Sequence, residues 1–174
     1  MKRTLLILLV IFILLYGCKK DNSSRTSGID TIDNIIYKTT TYYALGFSFS
    51  KANKISNLDN PWPDIVLYVN SDTPVSRLTL QTENFKPSFY KLGDYPDAAA
   101  AVSAFNNLNT VGSYQWEEMA DPIKNNQVWI YRTDSEYYTK IRIVNTVIDN
   151  TVTPVFGECI FEWVYQPDGS LTFP

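Results

Sequence analysis

Residues 127–144 read QVWIYRTDSEYYTKIRIV, and their pattern decides the fold class. In the first half, two aliphatic side chains alternate with two aromatic ones: Val128, Trp129, Ile130 and Tyr131. In the second half, one face holds Tyr137, Thr139, Ile141 and Ile143, and the other holds Tyr138, Lys140 and Arg142. A period of two is typical of β-strands, and the polar residues 133–136 supply turn chemistry. The stretch predicts a β-hairpin within a larger antiparallel sheet, because an isolated hairpin is only marginally stable in water.

The same alternation recurs over most of the chain, so we expect an all-β fold. Further strand patterns cover residues 37–50, 65–69, 75–82, 85–92 and 158–165. One helical pattern runs from Pro96 to Leu108, where alanines and larger apolar residues recur at helical spacing. The last strand is expected beside the hairpin if opposite charges face each other: Glu158 and Glu162 against Lys140 and Arg142. The predicted architecture is a sandwich or open barrel of antiparallel sheets with one short helix, at most a β-rich α+β fold.

The first residues have the pattern of an export signal. Two basic residues precede an apolar run at 5–16, which is twelve residues long. That length suits the core of a signal peptide, whereas a membrane-spanning helix needs about 20 residues. The run ends in LYGC, which resembles the lipobox of bacterial lipoproteins, where the cysteine becomes the acylated first residue of the mature chain. We expect residues 1–17 to be a signal peptide and Cys18 to carry lipid. The alternative is an ordinary secretory signal beside an incidental cysteine.

The remaining chain divides into a tether and one domain. Residues 18–36 are largely polar, poor in aromatic residues and without periodicity, so we predict a flexible, lipid-anchored tether. Asp30 and Asp33 are interpreted as solvated linker charges, because no glycine-containing calcium loop follows them. Residues 37–174 are expected to form a single β-rich globular domain. Removing 17 residues from the 174 leaves a mature chain of 157, which is long enough to bury a sizeable core.

Composition excludes several function classes. The chain has no histidine, which removes Ser-His-Asp and Cys-His catalytic arrangements and the commonest metal ligand. It has two cysteines, and lipid on Cys18 would leave Cys159 without a disulfide partner. The formal net charge is −3 and becomes more negative when the signal peptide is removed, which argues against nucleic acid as a partner. We predict that the protein is not an enzyme and that it contacts the membrane through covalent lipid.

Aromatic side chains concentrate in the last third of the chain and suggest a ligand site. We expect a flat apolar ligand near the loop 114–119 and the hairpin, bound through Trp116, Met119, Trp129, Tyr131 and Tyr138. The alternative is that these side chains form the core, since strands favour aromatic residues. A separate aromatic residue, Trp62, lies between two prolines. It either presents its ring for recognition or plugs the end of the core, and we favour the plug.

One combination of motifs is similar to a known family. It comprises the lipobox, the polar tether, the early strand YYALGFSFS at 42–50, the hairpin at 127–144 and the aromatic closing strand followed by QPDG. These motifs resemble the HmuY-like haem-binding lipoproteins. The resemblance implies an all-β fold, anchorage to the outer membrane, frequent surface exposure, and capture of haem for uptake through a partner transporter. Haem-binding members ligate iron with histidine or methionine. Here Met119 is the only methionine of the mature chain, so no axial pair is carried over.

Two functions from different classes follow from these observations. The first is a lipoprotein that captures haem or another flat apolar ligand. The second is an accessory lipoprotein without a small-molecule site, which docks onto an envelope transporter or complex. A concave apolar pocket would favour the first function, and a flat exposed patch on the order of several hundred Å² would favour the second.

Overall fold

The computed structural model describes residues 25–71 and 75–174. The strands in these ranges, in chain order, are β1 Ser27–Asp33, β2 Ile36–Lys38, β3 Tyr42–Ser48, β4 Asn53–Ser56, β5 Val66–Asn70, β6 Arg77–Gln81, β7 Phe89–Asp94, β8 Met119–Ile123, β9 Gln127–Arg132, β10 Tyr138–Asp149 and β11 Phe156–Gln166. One helix, α1 Ala98–Asn107, separates β7 from β8. In this described part of the chain, no helix has the length and apolar content needed to cross a bilayer. The predicted signal peptide, Cys18 and the first residues of the predicted tether lie outside the described residues.

Two layers of antiparallel sheet form the fold. One layer is a five-stranded sheet in the order β1-β11-β10-β9-β7. The other layer consists of two three-stranded sheets, β2-β3-β4 and β5-β6-β8. These two sheets meet where Phe47 and Ile65 exchange backbone hydrogen bonds of 2.9 and 3.2 Å. The prediction of an all-β fold built from antiparallel sheets is confirmed, and the arrangement is a sandwich and not a closed barrel.

The main core fills the space between the two layers. The five-stranded sheet contributes Ile32, Phe89, Trp129, Tyr131, Ile141, Ile143, Cys159, Phe161 and Trp163, and the opposite layer contributes Phe47, Ile65, Leu67, Leu78 and Leu80. The ring of Phe47 packs edge-on against Phe161 and Trp163, with centroids 5.3 and 5.4 Å apart, a favourable geometry for aromatic pairs. Burial among these rings raises the pKa of the Cys159 thiol, so this cysteine is a packing residue and not a reactive one.

The helix α1 covers the outer face of the five-stranded sheet. Asp97 is its N-cap and accepts a 2.8 Å hydrogen bond from a backbone N–H of the first turn, so the helix begins after Asp97 and not at Pro96. At the other end, Nζ of Lys140 donates to the carbonyl oxygens of Phe105 and Leu108, both at 3.0 Å. A second apolar cluster fills this interface: Phe105, Leu108, Val111, Val128, Ile130, Tyr138 and Phe173. The sheet is therefore buried on both faces at β9.

The hairpin predicted at 127–144 is present as β9 and β10. The two strands pair antiparallel with Trp129 opposite Ile141, which places both side chains in the main core. On the other side of β10, β11 pairs with Arg142 directly opposite Glu162, and Nε of Arg142 lies 2.7 Å from the carboxylate oxygen. The expected charge pairing between the two strands is confirmed for this pair. Lys140 turns instead to the end of the helix.

The tether prediction for residues 18–36 is wrong over its second half. The strand β1, Ser27–Asp33, pairs in register along β11. Ile32 is fully buried in the main core, and Asp30 accepts a 2.7 Å hydrogen bond from the indole N–H of Trp163. The segment reads as polar because an edge strand places only alternate side chains against the core. The globular domain therefore begins with β1.

Replacing Ile32 with alanine is expected to lower the free energy of unfolding by about 3 kcal/mol, because it leaves a cavity in the main core. The matched control is Ile29→Ala on the same strand, where the side chain is 57% exposed. This control is expected to cost less than about 1 kcal/mol. Equilibrium unfolding in urea measures both. Small and equal effects would mean that residues 27–33 do not dock onto the sheet.

Candidate functional site

A cleft of about 530 Å³ opens where strand ends and loops of the sandwich meet. Three connecting segments form most of its wall: residues 58–64 before β5, 82–84 after β6 and 133–137 between β9 and β10. Tyr131 and Tyr165, near the ends of β9 and β11, also line it. The volume lies within the range of about 300–1,000 Å³ that is typical of small-molecule sites. The cleft is therefore a candidate binding site.

Trp62 stands on the wall of this cleft with 56% of its surface exposed, so it does not plug the core. Pro63 is the buried residue of this loop, and it packs where Gly46 has no side chain. A Cβ atom at Gly46 would lie 2.5 Å from the Cβ of Pro63, which explains why glycine is needed there. The loop rejoins the sheet through a 2.9 Å hydrogen bond from the backbone N–H of Asp64 to the carbonyl oxygen of Phe47. The indole of Trp62 is left to face solvent and the cleft.

Asp64 places a buried carboxylate in the cleft. One oxygen accepts a 2.7 Å hydrogen bond from the backbone N–H of Phe49, and the other accepts a 3.4 Å hydrogen bond from the hydroxyl of Tyr131. Burial raises the pKa of Asp64 to about 6, because the charged form loses hydration. The hydrogen bonds and the positive charge of Lys51 oppose this rise without cancelling it. The carboxyl group therefore titrates just below neutral pH.

The tyrosines around Asp64 stay protonated. Burial raises the pKa of Tyr131 well above its usual range, and the Asp64 carboxylate raises it further. The pKa of Tyr165 is raised by the same two causes in the same order. Both hydroxyl groups are therefore neutral and can donate hydrogen bonds. Tyr165 also packs edge-on against Tyr137, with ring centroids 6.3 Å apart. The cleft thus combines aromatic rings, neutral hydroxyls and a buried acid.

Negative charge predominates in the cleft. Its lining includes Asp59, Glu83 and Asp134 besides Asp64, and no lysine or arginine among the described residues. Asp134 is half exposed and pairs with Nζ of Lys86 at 2.7 Å. Burial raises the pKa of Glu83, and a hydrogen bond from the side chain of Asn57 opposes this rise. The Oε1 atom of Glu83 is itself buried and has no hydrogen-bond partner in the described part of the chain. A buried carboxylate oxygen without a donor is unfavourable, so a water or a ligand that donates to it would stabilise the site.

The five side chains predicted to bind a ligand do not come together. Trp129 is buried in the main core. Trp116 and Tyr138 lie on the opposite face of the five-stranded sheet, with ring centroids 6.2 Å apart. Met119, on β8, is 36% exposed and lines a separate groove, so of the five Tyr131 alone reaches the cleft. The hairpin has no open face at β9, because the opposite layer covers one face and α1 covers the other.

Sequence reasoning missed Asp64 and Glu83. A signal existed for Asp64, since an acidic residue directly after Pro-Trp-Pro and before an apolar strand pattern is placed where a sheet meets solvent. Glu83 carried no such signal. Its position in the cleft depends on the segment 82–84 folding beside the loop 58–64, and the two are separated by two strands.

Haem does not fit the side chains of the described residues. The chain has no histidine, and Met119 lies in a groove apart from the cleft. The raised pKa values of Tyr131 and Tyr165 disfavour ligation by phenolate. Within residues 25–71 and 75–174, no group of three or more histidine, cysteine or acidic side chains is placed to hold a metal ion. The cleft carboxylates among these residues therefore do not form a metal site of three or more ligands.

Replacing Asp64 with asparagine is expected to change how stability depends on pH. The folded-state pKa of about 6 is above the usual 3.8, so the native wild type binds more protons than the unfolded chain between these values. Its free energy of unfolding should therefore fall as pH rises from 4 to 7, by about 3 kcal/mol at most from this group. The asparagine side chain has nearly the same shape and does not ionise. Urea unfolding across this pH range should show the variant gaining stability relative to the wild type, and a constant difference would contradict the assignment.

Comparisons with known proteins leave the family open. No family model, no curated protein and no solved structure was found to match this chain. The resemblance to HmuY-like lipoproteins rests on the sequence motifs alone and stays a prediction.

Proposed function

We propose that this protein is a lipoprotein of the outer membrane, anchored through Cys18, that captures a small polar ligand in its cleft and is not an enzyme. The observation that carries the proposal is the exposed ring of Trp62 in a concave site that also holds the buried carboxylate of Asp64. Aromatic surfaces with a few convergent polar groups in one cavity are typical of small-molecule binding sites.

The chemistry of the lining supports a polar ligand in place of the flat apolar one expected from the sequence. The hydroxyl group of Tyr165 can donate a hydrogen bond to a ligand, whereas that of Tyr131 already donates to Asp64. The carboxylates accept hydrogen bonds. The negative charge of the lining opposes ligands that carry carboxylate or phosphate groups. Haem, with its propionates, belongs to that unfavourable class. Uncharged polyhydroxylated molecules and cations fit the lining better.

Two features of the chain support binding without catalysis. The commonest base that activates a nucleophile is histidine, and the chain has none. The thiol of Cys159 is buried in the main core with a raised pKa, and it does not line the cleft.

A second function, an accessory lipoprotein that docks onto an envelope transporter or complex, is supported by a different surface. Apolar side chains are exposed on and beside the hairpin β2–β3: Ile35, Ile36 and Tyr42. Exposed apolar side chains that lie together favour contact with another protein. This function is compatible with ligand capture, since Ile35, Ile36 and Tyr42 do not line the cleft.

Replacing Cys18 with serine is expected to move the protein from the membrane fraction to the soluble fraction, because lipid is proposed as its membrane contact. Cys159→Ser is the matched control and should stay in the membrane fraction, since this cysteine is buried. Fractionation with immunoblotting measures both. An unmodified Cys18 in the mature wild type, seen by mass spectrometry, would contradict the anchor.

Replacing Trp62 with alanine is expected to weaken ligand binding by about tenfold, because the ligand loses an aromatic surface. The measurement is calorimetric titration of the full-length protein, in non-ionic detergent, with neutral oligosaccharides, polyamines and haem. Tyr42→Ala is the control, since Tyr42 is similarly exposed but lies outside the cleft.

Two results would count against capture of a polar ligand. One is tight binding of haem alone that is insensitive to Trp62→Ala. The other is absence of binding for every ligand of the panel, which would leave docking onto a partner as the better proposal.

A further inference from the structure

The cleft holds partly buried negative charge without a matching positive charge. Asp64 and Glu83 both have raised pKa values, and burial is the main cause in each case. The nearby lysines do not compensate them. Lys86 pairs with Asp134, and Lys51 has a smaller influence on Asp64 than any of the hydrogen bonds of that carboxylate. A buried carboxylate is stabilised when a cation or a set of donors faces it. The site is therefore built to accept positive charge.

The aromatic wall of the cleft is suited to a cation as well. The face of an aromatic ring is electronegative and attracts ammonium and guanidinium groups. Elsewhere on this protein, basic side chains occupy such faces. Nζ of Lys38 lies 4.7 Å from the ring centroid of Tyr42, and Cζ of Arg132 lies 4.6 Å from that of Trp116. Trp62 has no such cation within the described part of the chain, so its face is open to a ligand.

The hydrogen-bonding pattern distinguishes among cations. Oε1 of Glu83 lacks a donor among the described residues, and the carboxylate of Asp64 has the capacity to accept more than its present bonds. A primary ammonium offers three N–H donors, whereas a quaternary ammonium offers none. A neutral sugar would supply hydroxyl donors but would leave both buried charges uncompensated. The negative charge of the cleft, the open face of the Trp62 ring and the free acceptor positions of the carboxylates together favour a primary amine.

We propose, on the basis of the proposed function, that the ligand is a small primary amine of the polyamine class. Its ammonium group donates to the carboxylates of Asp64 and Glu83, and its methylene chain lies against the ring of Trp62. The cleft volume of about 530 Å³ accommodates such a chain without rearrangement of the loops.

The test compares an amine with an uncharged molecule of the same length. Full-length protein in non-ionic detergent is titrated calorimetrically with spermidine, putrescine and butanediol, at neutral pH and low ionic strength. We expect both amines to bind and butanediol to show no binding. Affinity for the amines should fall as salt is added, because the attraction is electrostatic.

Charge-removing variants locate the site. Asp64→Asn and Glu83→Gln are each expected to weaken putrescine binding by about tenfold or more, as expected for hydrogen bonds to a charged group. Glu118→Gln is the matched control: Glu118 is exposed and does not line the cleft, so the affinity should be unchanged. Circular dichroism melting verifies that each variant is folded.

The ways in which this proposal can fail are distinguishable. Equal binding of putrescine and butanediol, or unchanged affinity in both Asp64→Asn and Glu83→Gln, would overturn the amine assignment. Binding of a neutral oligosaccharide that depends on Trp62, with no amine bound, would overturn the amine assignment and leave the proposed function in place. Absence of binding for amines and oligosaccharides alike would overturn both.

Discussion

Burial of both faces of the five-stranded sheet at β9 is the constraint on which the rest of the structure depends. The side chains of β9 alternate between the main core and the cluster under α1, so Trp129 and Ile130 are equally buried although they point in opposite directions. The middle of a strand in this position has no side chain left for recognition. Ligand contacts must then come from the ends of strands and from the loops beyond them. The cleft forms at such an end, and Tyr131 serves both the core and the cleft.

The extent to which the sequence predicts the fold depends on how much of each strand is buried. The hairpin, β11 and α1 carry strong periodic patterns because the core uses at least one whole face of each, and all three are found where the sequence indicates. Two local errors have physical causes. The edge strand β1 reads as a tether because few of its side chains are apolar. Residues 37–50 read as one strand, but 39–41 turn the chain between β2 and β3, since consecutive threonines suit strands and turns alike.

The site was harder to predict than the fold, because it depends on contacts between distant segments. Trp62 and Trp129 are the same residue type, and each lies next to apolar or proline residues in the sequence. Trp62 faces outward because Pro63 packs against Gly46. Trp129 is buried because the opposite layer of sheet covers it. The pKa of Asp64 likewise depends on Tyr131, which lies 67 positions further along the chain. The periodicity of the sequence predicts each strand, but it does not predict which loops come together in the fold.

The pairing of β1 with β11 also places the start of the domain at the end of the sandwich that holds the cleft. The backbone N–H of Tyr165, a residue of the cleft, donates a 2.7 Å hydrogen bond to the carbonyl oxygen of Thr26. Eight residues separate Cys18 from Ser27, and they reach at most about 28 Å when fully extended. A lipid at Cys18 would therefore be connected to the same end of the sandwich as the cleft, and the β10–β11 turn at 150–155 lies at the opposite end.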